Sequence, residues 1–217
     1  VAQNYYEIFG RNWERAALVK ARPICGDVRA GKGFLKKLFP FVWRKNLDFE
    51  AVSEVNNIRN QMELGTTDIS LELVPGHNIK TGAGGIREIE FFTQAQQLVT
   101  GGRDKNLRVS QTILALQALS TANWIPKRTE EKLIHYYKIL RKIEHILQLI
   151  DDAQTHSVPK SAERLNKVAK LFGLSDRNVF CKYLYEILKD VHSLAGQLFS
   201  SGDQILISRN ENSVVRD

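Results

Sequence analysis

Residues 127 to 152, KRTEEKLIHYYKILRKIEHILQLIDD, place Leu133, Tyr137, Leu140, Glu144, Leu147 and Ile150 at three- and four-residue spacing. Side chains at that spacing share one face of an α-helix. The run is too long for a strand and contains neither glycine nor proline, so it predicts a core helix. The same periodicity recurs along the chain. Residues 2 to 22 place Tyr6, Phe9, Trp13, Ala16 and Ala17 along a helix interrupted at Gly10 and ended by Pro23, which disfavours helical geometry in the residue before it. GKGFLKKLFPFVWRK predicts a second helix, broken near Pro40. Phe49, Val52, Val55, Ile58 and Met62 predict a third, capped by Asp48. Further helices are predicted over about 85–100, 109–123, 160–172 and 176–200, and the polar tail 204–217 is expected to fray. Only Ile69, Leu71 and Leu73 alternate in the manner of a strand. The fold class is therefore all-α: a helical bundle with at most one short strand-like segment near 69–73.

The bulk numbers narrow the function classes. The chain has 217 residues, 43% hydrophobic and 25% charged, enough for one large domain or two small ones. No stretch approaches the ~18 consecutive apolar residues of a membrane span, and no signal-peptide pattern opens the chain, so no membrane partner is expected. Two cysteines, Cys25 and Cys181, are too few for a disulfide framework or a cysteine-rich zinc site, which points to the cytoplasm. The net charge of +7 suits an anionic partner, but short clusters such as RKN, PKR and LRK also occur on solvated helix faces. The basic helices lack interleaved aromatic residues and a helix-turn-helix glycine, so nucleic acid is not expected. A nucleic-acid binder would instead show strongly salt-dependent affinity for any polyanion.

NIKTGAGGIREIEFF, residues 78 to 92, concentrates glycine and charge at the start of an apolar run. A Walker loop requires Gly-Lys followed by Ser or Thr, which is absent. The dinucleotide fingerprint fails because Arg87 stands where the third glycine belongs. What remains is a glycine-rich turn entering a helix N-terminus, flanked by Lys80 and Arg87: an anion site or a capped helix start. Glu88 and Glu90 lie roughly 160° apart around a helix and make no metal pair by themselves. Arg87, Glu90, Gln94 and Gln97 form a narrow polar stripe among Ile86, Ile89, Phe91, Phe92, Leu98 and Val99. Either an Arg87–Glu90 pair and glutamine hydrogen bonds satisfy that stripe inside the bundle, or it lines a cleft. The five histidines show no metal-ligand spacing, the Ser/His/Asp residues lack a nucleophile elbow, and no metal ligands are assigned.

Four segments in order, YYEIFGRNWERAALVKARPICGD, FLKKLFPFVWRKNLDF, NIKTGAGGIREIEFFTQAQQLVTGGRDKNLR and ILRKIEHILQLIDDAQTHSVP, resemble the bifunctional glutamine synthetase adenylyltransferase/adenylyl-removing enzymes over residues 3 to 160. The PII uridylyltransferases are similar in the helical part alone. The I-R-E-I-E-F form and the D-D-A-Q-T segment resemble the N-terminal half, which by resemblance removes AMP from adenylylated glutamine synthetase by phosphorolysis to ADP. The resemblance implies Mg2+ and a nucleotide, ATP or ADP, for the full-length enzyme. It implies glutamine synthetase and the PII signal protein as partners.

The family's G-G-S-D-x-D aspartates and its D-x-R-L-R-P carboxylate do not occur in the 217 residues. Two-metal phosphoryl chemistry depends on such carboxylates. The chain, which starts at Val1 without a methionine, is therefore expected to be a fragment with no catalytic residues of its own and no bound cofactor. Residues 1–40 read as the end of a nucleotidyltransferase domain and 41–203 as a helical bundle domain. Lys20 and Arg22 are candidates for the nucleotide or phosphate side. Lys80, Gly82, Gly84, Gly85, Arg87, Glu88 and Glu90 are candidates for a helix start at an interdomain cleft. The alternative is a non-catalytic helical module that docks glutamine synthetase or the PII protein.

Overall fold

The computed structural model describes residues 2–44 and 69–214, and the helix expected over 47–62 lies outside the described residues. Among the described residues, eight α-helices follow one another: α1 (Ala2–Ile8), α2 (Asn12–Val19), α3 (Val28–Val42), α4 (Ile86–Thr100), α5 (Thr112–Thr121), α6 (Lys127–Asp151), α7 (Ala162–Phe172) and α8 (Arg177–Val214). Short 3-10 turns occupy Leu71–Leu73 and Lys105–Leu107. The all-α class is as the periodicity predicts, and among the described residues no strand is present. The chain gathers into two compact units, one from residues up to 61 with 91–130, the other from 62–90 with 131–217.

In the first unit, α1 and α2 separate at Gly10. A methyl group there would sit 2.5 Å from the Phe41 ring, so the break lets α3 approach closely. Glu14 turns the start of α2: its carboxylate accepts from the Arg11 N–H at 2.7 Å and from the Tyr5 hydroxyl at 3.3 Å. Arg15 is buried and donates to the Val42 carbonyl at 3.2 Å. α2 stops at Val19, earlier than the apolar spacing suggests. α3 opens on Asp27, whose carboxylate accepts from Ala30 N–H at 2.9 Å. It then runs through Pro40 rather than breaking there. Proline removes one i→i−4 bond, but Pro40 lies on the exposed side while Leu38, Phe41 and Val42 are buried. The freed carbonyl can therefore be hydrated. Phe91, Phe92, Ala95, Leu98 and Val99 of α4 are all buried, together with Leu116 and Leu119 of α5. A helix apolar over most of its circumference has this fate.

In the second unit, Leu133, Leu140 and Leu147 of α6 are buried, as their spacing predicts, and Ile143 is buried beside them. Val168 of α7 and Phe180, Leu184 and Leu188 of α8 are buried too. Ser161 caps α7 through Arg164 N–H at 3.3 Å, and Gly173 ends it in the left-handed region at φ 103°. Asp176 caps α8 by accepting from Asn178 and Val179 N–H at 2.7 and 3.1 Å, and these bonds hold its carboxyl below the usual range. The α8 backbone continues to Val214, beyond the expected end near 200. The alternating segment 69–73 forms no strand. Leu73 N–H bonds back to the Ser70 carbonyl at 3.1 Å, coiling the segment so that Leu71 and Leu73 stay exposed and Val74 is buried. A lone strand has no ladder to join, and a local turn satisfies the same backbone groups.

Candidate functional site

The second unit holds the glycine-rich turn. An isolated antiparallel bridge pairs Asn78 with Ser157. Around it, Ile79 N–H donates to the His156 carbonyl at 2.9 Å and Val158 N–H to the His77 carbonyl at 2.9 Å. Asn78 then closes the turn with its own side chain, accepting from Lys80 and Thr81 N–H, each at 3.0 Å. These bonds fix where α4 begins.

The first amides of a helix are the groups an anion would use. Here each has an acceptor within the chain. Gly84 N–H donates to Glu88 Oε2 at 2.6 Å, and Gly85 N–H donates to the Gly82 carbonyl at 3.0 Å. Ile86 and Arg87 N–H donate to the Ile79 and Lys80 carbonyls, both at 2.9 Å, and Glu88 N–H to Gly85 at 3.1 Å. The turn is thus a closed helix start, with Glu88 as its own anion. Its glycines answer to packing. Gly84 has φ +71° and a methyl group there would lie 2.0 Å from the Leu188 carbonyl of α8. A methyl group on Gly82 would meet the His77 ring at 2.7 Å, and one on Gly85 would meet the Ile79 carbonyl at 2.7 Å.

Two carboxylate–histidine contacts brace this turn. Glu88 Oε1 lies 2.9 Å from His192 Nδ1 of α8. Glu144 of α6, only 3% exposed, accepts from Arg141 Nη1 at 2.7 Å and lies 3.1 Å from His156 Nδ1 and 3.8 Å from Lys80 Nζ. Lys80 Nζ is also 3.4 Å from His156 Nε2. A buried carboxylate needs this company, since burial penalises an unpaired charge heavily. Glu90 accepts from the Tyr137 hydroxyl at 3.0 Å, and buried Gln97 donates to the Leu107 and Val109 carbonyls at 2.6 and 2.7 Å. Arg87 is exposed. Burial pushes the His77 imidazole below its ordinary range, with its contact to the Ala83 backbone acting in the opposite sense.

Of the residues singled out in the sequence, Lys80, Gly82, Gly84, Gly85, Glu88 and Glu90 come together around this turn. Lys20 and Arg22 belong to the first unit, past the end of α2. Lys20 Nζ donates to Thr112 Oγ1 at 3.1 Å, and Arg22 is exposed. The backbone of Trp13 lies on α2, and its side chain lies outside the described ones. The sequence does not single out Glu144, Arg141, His156 or His192 as site residues. Its one visible signal is Glu144 standing in the apolar row of α6.

Among the described residues, no group of three or more His, Cys, Asp or Glu side chains is placed to hold a metal ion. With the turn amides bonded internally, these residues do not fit as the seat of a nucleotide-bound Mg2+. Among the described residues, no helix is long and apolar enough to cross a membrane.

Residues 56–199 match the family model described as GlnD PII-uridylyltransferase, and residues 1–37 match that of glutamate-ammonia ligase adenylyltransferase. Among curated proteins, the chain is 45% identical over 204 residues to the bifunctional glutamine synthetase adenylyltransferase/adenylyl-removing enzyme of Bradyrhizobium diazoefficiens, covering 93% of this chain and 20% of that protein. It is 46% identical over 200 residues to the enzyme of the same description from Rhodopseudomonas palustris strain TIE-1, covering 91% of this chain and 20% of the relative. The Bartonella quintana counterpart is 44% identical over 204 residues, 94% of this chain and 21% of its own length. The chain spans about one fifth of the length of the curated relatives it matches.

Proposed function

The chain belongs to the family of bifunctional glutamine synthetase adenylyltransferase/adenylyl-removing enzymes, a nucleotidyltransferase family, and on that premise we propose that it serves as the helical partner of an adenylyl-removing nucleotidyltransferase domain. In that role it regulates glutamine synthetase in nitrogen assimilation, in the half of the enzyme that removes AMP by phosphorolysis to ADP. The observation that carries the reading is the reach of the identity. It extends over 204 residues and so takes in both compact units, and residues 1–37 separately match the adenylyltransferase model.

In this reading, residues 1–40 close a nucleotidyltransferase domain and 41–203 form the helical domain, with 204–217 as a tail. Exposed Ile8 at the end of α1, exposed Phe9 just after it and exposed Ile24 support a surface at which further protein packs. Lys20 and Arg22 stand on the nucleotide or phosphate side. Lys80, Gly82, Gly84, Gly85, Arg87, Glu88 and Glu90 shape a helix start at the interdomain cleft, where their task is to hold α4 in place. Mg2+ and ATP or ADP belong to carboxylates outside these 217 residues, and the chain by itself turns over nothing. The setting is cytoplasmic, with glutamine synthetase and the PII signal protein as partners. The test is release of ADP from adenylylated glutamine synthetase and inorganic phosphate, using a protein in which this chain is joined to its aspartate-bearing domain. Phosphate-dependent ADP release is the expected result; no release with the aspartates in place overturns the assignment.

A second reading is favoured by the match to the uridylyltransferase model of residues 56–199, a stretch whose described residues lie mostly in α4 to α8. Here the chain is a docking module for glutamine synthetase or the PII protein. Calorimetric binding of the 217-residue chain to either protein supports it, and absence of binding to both removes it.

A further inference from the structure

The positive charge of this protein is concentrated at one end. Residues 2–44 contain nine Lys and Arg against three Asp and Glu, a net of +6 out of the chain's +7. Much of it lies on α3, where Arg29, Lys32, Lys36 and Lys37 are all exposed. None of these four has a hydrogen bond, ion pair or ring contact among the described residues. At ~100° per residue, Lys32, Lys36 and Arg29 fall within about 60° of one another and extend about 10 Å along the helix. Val28 and Phe39, 42% and 44% exposed, lie beside that stripe on the same exposed side. The opposite side carries Leu38, Phe41 and Val42, which are buried.

We propose that this face of α3 is a docking surface for an acidic protein segment, whose carboxylates meet Arg29, Lys32 and Lys36 while two separate apolar side chains, about 16 Å apart along the helix, cover Val28 and Phe39. The inference goes beyond the proposed function and stands independently of it. A row of cations on one helix face, without partners among the described residues, creates a field that attracts an anionic partner. Three classes of partner carry that charge. A lipid surface is disfavoured because an interfacial helix must bury its apolar face in the membrane, and on that face of α3 Leu38, Phe41 and Val42 are already buried within the protein, leaving only Phe34 exposed. A nucleic-acid strand meets the cations, but its phosphates leave an exposed valine and phenylalanine edge uncovered. An acidic amphipathic segment satisfies both features, with carboxylates along the middle of the stripe and apolar contact at Val28 and Phe39 at its two ends.

The experiment measures fluorescence anisotropy of a labelled helical peptide of about four turns, built from Glu and Leu at heptad spacing, titrated with the 217-residue chain. Polyuridylate and phosphatidylserine vesicles are the competing probes. The account predicts saturable peptide binding that weakens with salt. It predicts at least a tenfold loss in the R29E/K32E/K36E variant, and little loss in K167E/K170E/K182E, which carries the same charge change on other positions. Phe39→Ser should weaken the peptide several-fold and leave polyuridylate unchanged. Because charge reversal can disturb a helix, Arg29→Gln with Lys36→Gln serves as a milder pair, checked by circular dichroism and expected to weaken binding in the same order. No peptide binding, equal loss in both triple variants, or tighter binding to polyuridylate or to vesicles overturns the proposal.

Discussion

Gly84→Ala isolates the packing role of the glycine-rich turn from any role in holding a ligand. Gly84 has φ +71°, a region that costs a side-chain-bearing residue about 1–2 kcal/mol. The added methyl carbon would stand 2.0 Å from the Leu188 carbonyl oxygen, where a carbon–oxygen contact normally requires ~3.3 Å or more. Backbone cannot swing aside as a flexible side chain does, so relieving the overlap adds about 1–3 kcal/mol. Together the terms give roughly 2–5 kcal/mol, which for a chain of this size lowers Tm by about 4–20 °C. Gly33→Ala is the internal control. Gly33 lies in α3, where an added methyl group would meet nothing within 4 Å, so helix propensity alone should stabilise by about 0.5–1 kcal/mol. Thermal unfolding followed by circular dichroism on both variants reads the difference. A Gly84→Ala protein melting within about 2 °C of the parent would refute the close approach of turn and α8.

Other perturbations read other parts of the structure. Phe92→Ala, which empties a fully buried position on α4, should cost about 3–5 kcal/mol by urea unfolding. Glu144→Ala removes the buried carboxylate to which Arg141 donates and beside which His156 and Lys80 lie. Since Arg141 and Lys80 are each about a third or more exposed, the loss should be about 1–3 kcal/mol, with faster amide exchange over residues 78–88. Burial pushes Tyr136 up to about 12, aided by its bond to Asp190 at 2.7 Å, so the neutral phenol is favoured in the folded state. That contribution is complete below pH ~10 and is lost as pH rises toward 12. Tyr136→Phe should abolish this alkaline limb in a stability-versus-pH series. The lowered His77 pKa acts on the acid side: the contribution is present above pH ~6.5 and is lost as pH falls, because the unfolded chain takes the proton more readily. His77→Phe should flatten stability between pH ~7 and the folded-state pKa.

The helices are legible in the sequence because their burial is periodic. The row from Leu133 to Leu147 and the broad apolar surface of α4 need only the helical repeat to be read. Turns and ends are less legible, for identifiable reasons. Pro40 announces a break, yet a proline facing solvent leaves its unpaired carbonyl hydrated and the helix continues. Ile69, Leu71 and Leu73 alternate like a strand, but alternation does not show whether a partner strand exists. The glycine-rich turn is recognisable as a helix start, and Glu88 is visible as a nearby carboxylate. Its closure is not legible, because Gly84 and Glu88 are joined by a local bond while His192 arrives from 104 residues away. Glu144 shows the same limit: a lone carboxylate in an apolar row signals a partner without naming it.

The central claim is that the turn before α4 is a scaffold element whose amides are satisfied within the chain, with the chemistry seated elsewhere. The most direct measurement is an amide-resolved NMR titration of the 217-residue chain with inorganic phosphate and, separately, with Mg2+ and ADP. The account predicts that the amides of Gly84, Gly85, Ile86, Arg87 and Glu88 keep their shifts and their slow exchange throughout. Saturable shifts at those five amides, with added protection on binding, would contradict it.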